Sequence, residues 1–192
     1  MISDIITMLE GAYSENTLRA YRSDYAAFER FCSTRGLGSF PAAEEAIAAW
    51  VAELAEQQKR PATIKRYVAS LSALHRFGRM PDPASGIEVK LALRRASRAL
   101  GTHQKQAAPI NRKLLEAMLA TCDADLHGLR DRLLLNLAYD TARRRSELTS
   151  LLIEDIEHEE DQPARLMLRR SKTDGFGRGL HLQLSQSTTE AL

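Results

Sequence analysis

Apolar residues return every three or four positions over several stretches of the chain, and each such stretch predicts an amphipathic helix. Leu18, Tyr21, Tyr25, Phe28 and Phe31 form the first stripe. Ser14 precedes it, where a hydroxyl caps free helix amides, and Thr17 stands three residues on, where a capping box would place Glu or Gln. Gly36 lies just past the expected end. A second helix is predicted from near Pro41 to about Gln57, with Ile47, Trp50, Val51 and Leu54 on one stripe. A third starts at Pro61, well placed in a first turn, and stops before Gly78, with Ile64, Tyr67, Val68, Leu71 and Leu74 inward. The turn-rich "MPDPASG" interrupts the pattern, and a fourth helix is predicted over roughly Ser85 to Leu100. Short amphipathic helices with short connections predict a compact four-helix bundle over residues 1–100.

The polar segment "GTHQKQAAPIN" (Gly101 to Asn111) reads as a linker. Residues 112–192 then read as a second domain. "RKLLEAMLATC" and the more apolar "LRDRLLLNLAYD" predict helices, and "SELTSL" one or two helical turns. From Ile153 the period changes. Ala164–Arg169 and Gly179–Leu184 alternate, with turn residues between them, and predict a small antiparallel sheet. The closing "QSTTEAL" reads as the start of a further helix, with Ser187 as its cap and Glu190 three residues later. The expected fold is therefore mainly α: a helical bundle followed by an α+β domain.

Composition narrows the class. Hydrophobic residues make up 44% of 192, enough for a core. Cys32 and Cys122 are the only cysteines and lie far apart, which argues against a disulfide scaffold or a zinc site and fits a reducing cytosol. "MISDIITMLEGAY" carries Asp4 and no basic stretch, so it does not read as a signal peptide, and no apolar run approaches the ~18 residues of a membrane span. A cytoplasmic protein is expected. Net charge is only +2, but Lys59 to Lys105 holds 11 basic residues against the two acids Asp82 and Glu88. A block of this kind suggests a polyanionic partner.

The stretch "AYDTARRRSELTSLLIEDI" resembles the first catalytic-arginine motif of the tyrosine recombinases, the phage-integrase type. Thr141, Ser146, Glu147, Leu148, Leu151, Asp155 and Ile156 match the family pattern, and in that register the arginine is Arg144. The family's usual Gly-Leu before it is Ala142-Arg143 here. Twenty-eight residues on, "RRSKTDGFGRG" resembles the hairpin carrying the family's active-site lysine, which falls on Lys172. "SENTLRAYRSDYAAFERFC" and "ATIKRYVASLSALHRFG" resemble the first and third helices of the family's core-binding domain.

The resemblance implies a SAM-like core-binding bundle followed by the first part of an α+β catalytic domain, truncated because the chain stops in what reads as a new helix. It implies that Arg144 binds the scissile phosphate, since a planar guanidinium can hold two non-bridging oxygens at once. Lys172 would protonate the leaving 5′ oxygen. Glu147 would support the arginine turn, while Arg143 and Arg145 would face solvent or phosphate. No cofactor and no metal are implied, because a phosphotyrosyl link conserves the bond energy. Double-stranded DNA is the implied partner, contacted from the first helix by Asn16, Arg19 and Arg22 and from the third by Lys59, Arg60, Thr63, Lys65 and Arg66. Self-assembly on paired DNA sites is implied for a full-length protein, with a nucleoid-associated location and no membrane. The family's His-x-x-Arg motif and tyrosine nucleophile are not among these residues: the tyrosines are 13, 21, 25, 67 and 139. The expected function is site-specific recombination or integration of DNA. A naturally shortened, non-cutting DNA-binding relative and an unrelated helical regulator stay open as alternatives.

Overall fold

The N-terminus holds an element the hydrophobic pattern does not flag. A short helix α1 (Ile2–Met8) buries Ile5 and Ile6, and Leu9 beyond it, in the first core. Two turns are too few to register as a period, and a helix this short is held by tertiary packing rather than by propensity. The computed structural model describes residues 1–103, 106–159, 162–169 and 178–192. Among them the chain is mostly helical with a small three-stranded antiparallel sheet, and it divides into two compact units, Met1–Lys105 and Gln106–Leu192.

In the first unit α2 (Glu15–Ser33) follows Ser14, whose Oγ accepts from the Thr17 N–H at 3.3 Å. The Thr17 hydroxyl, 2.9 Å from Ser14 Oγ, occupies the place of the missing box acid. Helix α3 (Glu44–Glu56) starts three residues later than the predicted Pro41. Ala43 is its N-cap and is extended, with ψ 149°, and just before it the Ala42 N–H donates to His75 Nε2 at 2.8 Å, which ties the approach to α3 to the later helix that carries His75. His75 is fully buried and its Nδ1 meets the Leu71 carbonyl at 2.8 Å, so both ring nitrogens are used. Helix α4 (Pro61–Phe77) runs as predicted. The predicted start of the fourth helix at Ser85 is corrected to Ile87. Pro83–Ser85 form a separate 3-10 turn, capped by Asp82 Oδ1 accepting from the Ala84 N–H at 3.0 Å, and α5 (Ile87–Leu100) begins after Gly86. Gly86 has no side chain to cap α5, and Glu44 of α3 does so instead, accepting from the Glu88 N–H. A Cβ on Gly86 would fall 1.9 Å from the Glu44 carboxyl carbon, so a side chain there would push the Glu44 carboxylate off its cap position.

The stripes read from sequence meet in one core. Leu18, Phe28, Ile47, Val51, Ile64, Leu71, Leu74 and Val89 are buried, each contributing about 1.5–3 kcal/mol of transfer free energy. The Trp50 ring stacks on Tyr67 at 5.2 Å and lies 5.1 Å from Phe28.

The second unit begins with α6 (Arg112–Leu119), capped by Asn111, and α7 (Leu126–Thr141), capped by Asp125. A single turn α8 (Arg145–Leu148) follows. Then come β1 (Ile156–Glu157), β2 (Arg165–Leu168) and β3 (Leu180–Gln183), antiparallel in the order β1-β2-β3 with Ile156 opposite Leu166 and Leu166 opposite Leu182. Leu137, Leu148, Ala164, Leu166 and Leu184 form its core. The last helix, α9 (Gln186–Thr189), corrects the expected cap. Ser185, not Ser187, is the N-cap, its Oγ accepting from the Thr188 N–H, and Glu190 lies at the C-terminal end. The helix starts early because Leu184 still donates to the Ala164 carbonyl at 2.8 Å and the chain turns immediately after it.

Candidate nucleic-acid interface and arginine site

Helices α2 and α4 pack against each other and run antiparallel. Tyr13, just before α2, meets Phe77 at the end of α4 at 5.5 Å, while Asp24 in mid-α2 meets Arg66 in the second turn of α4. The two basic clusters read from sequence therefore start from opposite ends of the pair and approach each other in its middle, where Arg22 stands two residues from Asp24, the partner of Arg66. At one end Asn16 and Arg19 are exposed and bonded to each other, Arg19 Nη1 to Asn16 Oδ1 at 3.3 Å. Arg22 on the next turn is tied to Glu10 at 3.1 Å, both exposed. At the other end Lys59, Arg60, Thr63 and Lys65 line a cleft of about 770 Å3, whose other wall is Leu100 to His103.

Arg66 is placed differently. Its Nη1 donates to both oxygens of Asp24, at 2.7 and 2.5 Å, and its guanidinium carbon stands 4.8 Å from the Tyr67 ring centroid. Asp24 is fully buried and accepts a third bond, from Ser70 Oγ at 2.6 Å. Sequence reasoning did not single out Asp24. The signal was available: position 24 falls in line with Tyr21, Phe28 and Phe31, so an acid stands on an apolar stripe, and a buried carboxylate needs a partner.

In the second unit the arginine turn is built from both sides. Helix α7 ends at Thr141, and Ala142 adopts the left-handed conformation, φ 49° and ψ 33°, with its N–H on the Ala138 carbonyl at 3.0 Å. This reverses the chain so that Arg144 becomes the N-cap of α8. Leu148 anchors α8 in the core. Glu147, buried to 5% exposure, accepts from the Arg144 backbone N–H through Oε2 at 3.1 Å and from Arg144 Nη1 through Oε1 at 3.0 Å. One carboxylate thus closes the turn and orients the guanidinium, which stays half exposed. Arg143 turns back, its Nε donating to the Thr141 carbonyl at 3.0 Å. Beyond the turn Asp155 holds the return to the sheet. It accepts from the Leu152 N–H at 2.9 Å and from Arg169 Nε, and these bonds lower its carboxyl below the ordinary aspartate range.

A guanidinium braced by a carboxylate, with an outer part open to solvent, suits a phosphate that carries developing negative charge. The profile of the phage integrase N-terminal SAM-like domain matches residues 7–79, and that of the phage integrase family matches residues 110–191. The chain belongs to the phage integrase family of tyrosine recombinases. This integrase-family chain is 33% identical over 175 residues to an integrase/recombinase xerD homolog of Selenomonas ruminantium, an alignment covering 89% of this chain and 51% of the relative. It is 28% identical over 155 residues to the tyrosine recombinase XerC of Pseudomonas putida, covering 78% and 48%. It is also 24% identical over 184 residues to the recombinase cre of Escherichia phage P1, covering 93% and 54%. The chain spans about half the length of the curated relatives it matches. Among the described residues no helix is long and apolar enough to cross a membrane.

Lys172 lies outside the described residues. The flanking strands are paired, with Leu168 opposite Leu180.

Proposed function

We propose that this chain is the DNA-binding bundle and the leading part of the catalytic domain of a site-specific recombinase. Residues 1–100 bind duplex DNA through the α2/α4 face, 101–111 link, and 112–192 bring Arg144 and Lys172 to the scissile phosphate. The observation that carries this reading is the braced Arg144, in a chain whose first unit sets exposed cations on α2 and at the start of α4.

The chemistry follows from charge. Attack of a tyrosine oxygen on a phosphodiester places negative charge on the non-bridging oxygens, and a preorganised donor there is worth about 3–4 kcal/mol. Arg144, held by Glu147 before substrate arrives, needs no reorganisation to receive it. The leaving 5′ oxygen takes its proton from Lys172, and the phosphotyrosyl bond keeps the energy for rejoining. The tyrosine that this chemistry uses is not among these 192 residues, so breakage and rejoining by the whole protein, assembly of copies on paired sites and residence on chromosomal DNA all belong to the proposal.

Binding is tested first. Fluorescence anisotropy of a labelled duplex, titrated with the chain at several salt concentrations, should give an affinity that falls steeply as salt rises. A flat salt response would remove the α2/α4 face from the reading. Catalysis is tested in a chimaera that joins the rest of the Selenomonas relative after Leu192, acting on a nicked suicide duplex. Arg144→Ala should lower cleavage by about 10²–10³-fold, and an undiminished rate would sink the role of Arg144.

A further inference from the structure

Arg66 differs from the other basic residues of the α2/α4 face in the way it is held. A lysine or arginine on a free stem gives up rotamer freedom when it meets its ligand. Arg66 has given up that freedom in folding. Asp24 takes Nη1 from the inside with both oxygens, Ser70 fixes the carboxylate, and the Tyr67 ring lies against the guanidinium. A guanidinium has five N–H donors, and two oxygens on Nη1 leave three, on Nε and Nη2. These form one edge with two parallel donors, on a side chain that is half exposed.

By charge counting alone an acid at this place is a liability, because it cancels a cation where a polyanion would bind. Asp24 is nevertheless fully buried and makes three bonds. We propose that Asp24 is a positioning residue that presents the Nε/Nη2 edge of Arg66 to a pair of acceptors on duplex DNA. The pair is either O6 and N7 of a guanine or two oxygens of one phosphate, since the fork fits both. This inference rests on the DNA-binding reading above.

The test compares the wild-type chain with Asp24→Asn, Arg66→Lys, the double variant and Lys59→Ala. Each is titrated against one mixed-sequence duplex at fixed salt, then used to select from a library of random-sequence duplexes. Asparagine keeps the shape and can still accept from Ser70, but it no longer grips Nη1 with a charge. Lysine keeps the charge and the ion pair with Asp24 but loses the fork. Asp24→Asn and Arg66→Lys should each weaken binding about tenfold, with little further loss in the double variant. A guanine partner appears as the loss of one guanine from the selected sequence, and a phosphate partner as an equal loss on every sequence.

Charge counting makes the opposite forecast, that Asp24→Asn binds more tightly. Binding by Asp24→Asn as tight as wild type or tighter overturns the proposal, as does wild-type binding by Arg66→Lys. Thermal melts identify a misfolded variant, and if Asp24→Asn does not fold, Arg66→Lys decides alone. Weakening by Lys59→Ala without weakening by Asp24→Asn leaves DNA binding standing and removes only the role of Asp24. A wild-type chain that binds no duplex removes both.

Discussion

Ala142 occupies the one position between α7 and the arginine where a side chain works against the fold. Its φ of 49° lies in the left-handed region, where a Cβ costs about 1–2 kcal/mol. The turn is a helix stop of the kind glycine favours, with the N–H of the stop residue on the carbonyl four residues back. Ala142 is exposed, so replacing it with glycine removes no buried contact. Glycine does raise the entropy of the unfolded chain, which offsets about 0.4–1 kcal/mol. Ala142→Gly should therefore stabilise the second unit by about 0.5–1 kcal/mol, or roughly 3–6 °C in the melting transition of a unit this size. Ala142→Val, which adds a β-branched side chain in the same conformation, should lower the transition. Differential scanning calorimetry of the three chains measures both. A glycine variant that melts at or below wild type would mean that the backbone at 142 is not left-handed, and the reversal that makes Arg144 an N-cap would have to be redrawn.

Three further outcomes are expected. The Leu152 N–H and the Arg169 guanidinium hold the Asp155 carboxyl below its ordinary value, so the stabilisation it supplies is present above the unfolded aspartate value of about 3.9 and is lost as pH falls through the folded one. Melting temperature followed downward from pH 5 should thus fall less steeply in Asp155→Asn than in wild type, and parallel slopes would reject this assignment. Burial pushes the Cys32 thiol up, while Cys122 is only partly covered, so a disulfide reagent should label Cys122 in the folded chain and reach Cys32 only after unfolding; prompt labelling of both would contradict the packing around Cys32. The exposed Arg22–Glu10 pair should matter little to folding, so Arg22→Ala should change stability by under about 1 kcal/mol while weakening duplex binding. A large drop in melting temperature would recast Arg22 as a structural residue.

Much of the fold was legible because it rests on periodicity. The stripes through Leu18 to Phe31, Ile47 to Leu54 and Ile64 to Leu74 are the core, and the two alternating segments are paired strands. What escaped was decided by contacts between distant residues. The segment leading into α3 is tied to His75, thirty-three positions after Ala42. The cap of α5 is Glu44, from another helix. The cap of α9 depends on where β3 releases the chain. At the site, the Ser146-Glu147-Leu148 motif indicated that Glu147 supports the arginine turn, and its two bonds to Arg144 do so. Asp24 was passed over because a single charge within an aromatic stripe carries no period of its own.

The two bonds that Glu147 makes to Arg144 also bear on how this protein can change over time. One carboxylate oxygen satisfies a backbone amide and the other a guanidinium, so the shape of the turn and the aim of the arginine pass through the same atom group. A shorter aspartate would have to choose between them, and an uncharged residue would loosen both. A substitution at position 147 therefore costs two bonds at once, whereas Arg143, bonded to a neighbouring carbonyl, and Arg145, facing solvent, hold no such double place. Of the three adjacent arginines, only the middle one shares its fate with the core beneath it.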